Sequence, residues 1–223
     1  PGDKRIMAKL MLNRFYDYLG QPLKPAGRII LAISLIPLVL AFTAPLWNIH
    51  MEAPQYPKGL DMYIYVDHLE GGNDGLDVDE INNLNHYIGM DQITRETLVD
   101  LDWIPFALGF LGLLVLRCAA IGTVRSLIDV AILTTYVSGF AFFRFVSTLH
   151  RFGHELSPTA PFKVEPFTPA IFGKKQIANF LTESYPAAGS YYLGLFVLLT
   201  IGALAWHLIA GRRAALRANA STG

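Results

Sequence analysis

The residues of this 223-residue chain with the most specific chemistry are its histidines and methionines, and five of the six histidines fall in or beside two polar stretches. His50 and Met51 are adjacent and follow directly on an apolar run. Met62 and His68 lie in Met62-Tyr-Ile-Tyr-Val-Asp-His68, where strand alternation puts positions 62, 64, 66 and 68 on one face. His86 and Met90 are four apart, a spacing that shares a helix face if the helix persists that far. His150 and His154 have the same spacing. Imidazole suits copper, and the Met thioether selects soft Cu(I). Copper is therefore the candidate cofactor, with His50, Met51, His86 and Met90 as expected ligands and His68, His150 and His154 as further candidates. No short stretch fixes a full ligand set. The competing reading is that these are surface and packing residues, Met62 in a strand core and His86 on a wet helix face.

Other chemistries find little support. The chain carries no GxSxG, no phosphate-cradling glycine loop, no HExxH and no CxxC, which points to a non-catalytic protein. Asp79 and Glu80 are adjacent carboxylates in an acidic stretch and read as a solvated face. Cys118 is the single cysteine, so no intrachain disulfide and no Cys-rich metal site can form. His207 sits in an apolar run with no second histidine on another run, which argues against a bis-histidine haem.

The elements that must position these residues are set by composition. Hydrophobic residues make up 52% of the chain and charged residues only 16%, against about 25% charged in a soluble domain. A membrane-crossing helix needs about 20 apolar residues. Runs at 29–47, 103–121, 127–149 and 191–210 meet or approach this, so the expected fold class is a mainly α membrane protein with four transmembrane helices and a small α+β loop domain. Asp129 and Arg144 lie near opposite ends of the third run, where the Arg144 head can snorkel outward and that of Asp129 inward.

Charge sets the expected orientation. The first 28 residues hold Lys4, Arg5, Lys9, Arg14, Lys24 and Arg28; Arg117 and Arg125 flank the second connection; Arg212, Arg213 and Arg217 lie in the tail from 211 to 223. With four spans these places share one side, and the positive-inside rule makes that side cytoplasmic. The expected location is the inner membrane of a bacterium, with both termini cytoplasmic and residues 48–102 and 150–190 periplasmic. Net charge is zero and no basic face exists, so nucleic acid is not an expected partner. Residues 4–19 lack the long apolar core of a signal peptide. The spacing of Ile6, Leu10, Leu12, Phe15 and Tyr16 there predicts a short interfacial helix, ended by Gly20 and Pro22.

Residues 48–102 carry twelve carboxylates against Lys58 and Arg95. A strand is expected over 62–69 and a helix over 79–87, with Ile81, Leu84 and Ile88 as its apolar stripe and Gly89 as its stop. Residues 150–190 contain five prolines and read as irregular, with a short helix expected over 173–180.

Two stretches carry a resemblance. WNIHMEAPQYPKGL and INNLNHYIGM, with FGHELSPTAPFKV and KQIANF, resemble a poorly characterised family of bacterial multi-span membrane proteins associated with nitrous oxide reductase maturation. The resemblance implies an accessory role in periplasmic copper handling or respiratory-enzyme assembly. Beside it stands a structural or docking subunit of a large respiratory or photosynthetic membrane complex, with other membrane or periplasmic subunits as partners. A transporter is disfavoured, because few charges lie within the spans and no pair of broken helices appears.

Overall fold

The computed structural model describes residues 12–177 and 179–220. The chain forms two compact units. One contains the described residues up to 37, 109–136 and those from 195 onward; the other contains 38–108 and 137–194. Among the described residues three helices are long and apolar enough to cross a membrane: α4, Asp100–Ile121; α5, Val124–His154; and α6, Ala188–Ala220, of which Ala188–Arg213 is the apolar part.

The first long helix is preceded by two shorter ones. Residues 12–19 form the described part of α1, with Leu12, Phe15 and Tyr16 each 53% exposed; positions 4–11 of the expected interfacial helix lie outside the described residues. Next comes α2, Pro25–Leu40, which is apolar but has only 16 residues. Pro25 suits the first helical position, where its missing N–H costs nothing. The expected run to Trp47 is not all helix. The helix stops at Leu40, and Trp47 opens a strand. An apolar run of this kind does not by itself distinguish helix from buried strand, and Pro45 disfavours helix just before it.

In the first unit the connection between α4 and α5 is tied down by its own polar groups. Thr123 N donates to Ser126 Oγ at 2.7 Å, and Ser126 N donates to Thr123 Oγ1 at 3.4 Å, a reciprocal cap on α5. Leu23 N donates to Gly122 O and Val124 N to Gln21 O, so residues 21–23 pair with this turn. Leu31, Leu111, Val115, Leu127, Phe196 and Ala203 are buried.

The second unit is built on a five-stranded antiparallel sheet in the order β3-β2-β1-β5-β4. Its strands are β1 Trp47–Ala53, β2 Tyr56–Ile64, β3 Leu69–Gly71, β4 Gly173–Ile177 and β5 Phe180–Pro186. The expected strand over 62–69 is thus two strands joined by a turn, closed by Tyr65 N donating to His68 O at 2.9 Å. The expected helix over 173–180 is instead the start of the β4–β5 hairpin. β1 pairs with β5 through Trp47↔Pro186, Ile49↔Ser184 and Met51↔Thr182, so the two polar stretches complete one sheet. That pairing spans more than a hundred residues, and no local pattern reports it.

The expected helix over 79–87 is present and longer: α3 covers Leu76–Ile88. Gly89, at φ +81°, ends it in the left-handed conformation, with Gly89 N donating to His86 O and Met90 N to Asn85 O. Alternate residues of β1 face the core: Trp47, Ile49, Met51 and Ala53 are buried. They cluster with Leu60, Met62, Ile81 and Leu84, with Phe145 packed alongside. Trp47 Nε1 donates to Ser184 Oγ at 2.7 Å, which satisfies the one polar group of a buried indole.

Candidate functional site

The other face of the sheet presents charged and polar groups in register. Direct pairing places Asp61, His50, Glu183 and Lys174 in one row across β2, β1, β5 and β4. A second row runs Glu70, Tyr63, Asn48, Tyr185. Glu52, Leu181 and Gln176 form the third. Antiparallel sheets commonly cover one face and leave the other open, and strand alternation here sorts core from presented residues cleanly.

His50 is the best-fixed member of this face. Its Nδ1 lies 2.9 Å from Asp61 Oδ1, and its Nε2 lies 3.8 Å from Glu52 Oε1. The ring rests on Gly59, where an added Cβ would overlap the imidazole. Gly59 also has φ +79°, a conformation that favours glycine. It lies where the register shifts: Met51 pairs with Leu60 but Ala53 with Tyr56, so β2 carries the extra residues of a bulge. Asp61 is held in turn, because its N–H donates to the buried Asp77 carboxylate at 2.9 Å.

Neighbouring groups are shifted for identifiable reasons. Lys174 bonds Glu183, which raises its pKa above the usual lysine value. Tyr63 is raised by burial and then by the nearby Asp61 carboxylate. At the edge of the unit, the hydrogen bond from Tyr56 to Glu80 raises the phenol.

The remaining expected ligands lie on several elements. Met51 is next to His50 in sequence but on the opposite, buried face of β1. His86 is exposed on α3, whereas Met90 lies beyond the Gly89 stop, so the two do not share a helix face. Met62 is buried in the core, and His68 sits on the exposed turn, stacked on Tyr65 at 4.3 Å and bonded to Asp67. His150 and His154 stack at 3.7 Å, with His150 Nδ1 3.2 Å from Thr168 Oγ1 and His154 Nδ1 2.9 Å from the His150 carbonyl. Among the described residues no group of three or more His, Cys, Asp or Glu side chains is arranged to hold a metal ion.

Asp61, Gly59, Glu183 and Lys174 share this face with His50, and none of them is among the residues that the sequence singles out. One signal was available for Gly59, since a glycine inside a strand pattern marks a bulge or a close approach. Pairing of His50 with Glu183 had none. No family model matches the chain, and no curated protein is similar to it.

Proposed function

We propose that this chain is a non-catalytic accessory subunit of a membrane-bound complex, in which apolar helices anchor a sheet module that docks other subunits. The observation that carries this reading is the one-sided sheet: its apolar face is sealed, and its open face holds charged and aromatic side chains in fixed register. In this reading α2 makes a fourth crossing. Its 16 residues span about 24 Å, and the non-helical residues after it supply the rest of a hydrocarbon layer of about 30 Å. The concentration of Lys and Arg in the N-terminal segment, the α4–α5 connection and the tail supports placing those parts in the cytoplasm. The sheet module is then periplasmic, in the inner membrane of a bacterium, and the partner complex respiratory or photosynthetic.

The test is isolation from native membranes in mild detergent. Partner subunits should accompany the parent protein in fixed ratio, and reversing the open face with Glu52→Lys and Glu183→Lys should release them at least about tenfold more readily, since each like-charge contact across an interface costs several kcal/mol. Unchanged association of the double variant would overturn the docking role.

A second reading, copper handling, is favoured by one specific feature. A carboxylate on one imidazole nitrogen, as Asp61 is on His50, orients the other nitrogen as a metal ligand. Copper content of the purified protein decides it. Stoichiometric copper lost in His50→Ala would favour this reading over docking, and the absence of bound copper in the parent would end it.

A further inference from the structure

α5 has 31 residues, a length of about 46 Å against roughly 30 Å of hydrocarbon. About ten residues must therefore project beyond the bilayer if α5 crosses it. Exposed apolar side chains continue along α5 through Ile132, Tyr136, Phe140, Phe142 and Phe143, and then stop. Arg144, Thr148, His150, Arg151 and His154 follow. If α5 crosses the bilayer, this change places the sheet-side edge of the hydrocarbon at Phe142–Arg144. Trp103 of α4 lies at the same level: its ring is 5.4 Å from Phe140 and its Nε1 donates to Asp100 at 2.8 Å. An indole with an apolar body and a bonded polar edge is characteristic of that boundary. Arg144 donates to the same Asp100 oxygen at 2.9 Å.

Phe172 is brought to this level by tertiary structure. It precedes β4, and its ring centroid is 6.2 Å from that of Phe142 and 5.1 Å from that of Trp47. Those contacts cover little of it, and Phe172 is 58% exposed, as Phe142 is 47% exposed. Lys174 and Lys175 come next, one bonded to Glu183 and the other to the Thr168 carbonyl, both exposed.

We propose that Phe172 is a lipid-inserted anchor, its ring entering the sheet-side leaflet at the headgroup–acyl boundary beside Phe142. The sheet module is then fastened to the bilayer through a non-helical point, at the end of the β4–β5 hairpin. Lipid is the occupant because the exposed ring is continuous with the lipid-facing surface of a helix long and apolar enough to cross, and because the two lysines stand where headgroup phosphates would lie. The inference rests on the membrane reading of α5.

Site-directed spin labelling tests it. In a Cys118→Ala background, Phe172→Cys, Phe142→Cys and Tyr87→Cys are labelled and reconstituted into phosphatidylcholine–phosphatidylglycerol vesicles. Collision with oxygen and with a water-soluble nickel chelate is then compared. The label at 172 should behave like 142, favouring oxygen several-fold over the nickel chelate relative to 87, the half-exposed tyrosine of α3. A label at 172 that behaves like 87, or that collides with neither reagent because protein covers it, overturns the anchor. Failure of 142 to favour oxygen would instead sink the membrane reading of α5. Should Phe172→Cys fold poorly, Phe172→Trp keeps the aromatic ring. Its added fluorescence should be quenched by lipids brominated near the headgroup, and no added quenching relative to the parent would refute the proposal.

Discussion

His207 in the first unit and His50 in the second are each held through Nδ1, and each lies against a glycine with no room for a side chain, yet their second nitrogens meet opposite environments. His207 is 2% exposed. Its Nε2 accepts the Lys24 amide proton at 3.1 Å, which leaves Nδ1 to donate to Ala203 O at 2.9 Å. Tyr18 completes the arrangement by donating to the His207 carbonyl at 2.5 Å. Every polar atom is used, so this imidazole ties the start of α2 to α6 and has nothing left for a ligand. His50 has one nitrogen on Asp61 and the other on the open face of the sheet. A buried, fully bonded histidine therefore reads as structure, and a half-bonded one at a surface as a contact point.

The comparison predicts unequal costs. His207→Ala leaves a cavity and an unpaired Lys24 N–H, and should destabilise the protein by about 3 kcal/mol. His50→Ala frees a carboxylate that water already reaches, and should cost under about 1 kcal/mol. Denaturant midpoints in detergent micelles measure both; equal losses would erase the distinction.

The two glycines sharpen it. Gly27→Ala places a methyl on the His207 ring and should cost about 2 kcal/mol. In a His207→Ala background the space is vacant, and the same change should become favourable by up to about 1 kcal/mol, because alanine is the better helix former. Gly59→Ala should behave differently. Removing the His50 ring relieves the overlap but not the φ of +79°, so a cost of about 1–2 kcal/mol should persist in His50→Ala. Double-mutant cycles read this directly, and full rescue at position 59 would show that strain was never the issue.

A smaller effect is expected from Trp47→Phe. The substitution removes the hydrogen bond to Ser184 but leaves Ser184 donating to Ile171 O, so the loss should be near 1 kcal/mol. A loss above about 3 kcal/mol would mean that ring packing, not the indole N–H, dominates.

The smallest effect is pH-dependent. Glu183 holds the Lys174 pKa above its unfolded value, so the pair's contribution is complete below the ordinary lysine range and fades as pH rises through the raised value. Lys174 is exposed, so the change should be slight and should vanish in Glu183→Gln. Melting temperatures of parent and variant that fail to converge at high pH would contradict the assignment.

Some local patterns are legible in the sequence, although the turn at 65–68 inside the expected strand is not. Three of the four apolar runs gave helices of crossing length, and the stripe of Ile81, Leu84 and Ile88 with the stop at Gly89 gave α3. The run at 29–47 is helical only to Leu40, because apolar character alone does not separate the last helical residue from Trp47, the first of a strand. Residues 173–180 read as helix because the partner that makes them a strand is β5, itself pinned to β1 far away in the chain.

The candidate site divides along the same line. Side-chain types, the adjacency of His50 and Met51, and the alternation of polar with apolar stretches are all legible in the chain, since they are properties of a few adjacent side chains. Strand alternation then sent Met51 into the core and His50 outward, but only once residues 47–53 were known to be a strand. Tertiary structure alone decided that His50 meets Asp61, that Glu183 and Lys174 continue its row, and that Phe172 lies beside Phe142. Those are pairings set by sheet register and by burial summed over distant segments, and a chain read residue by residue carries no local record of either.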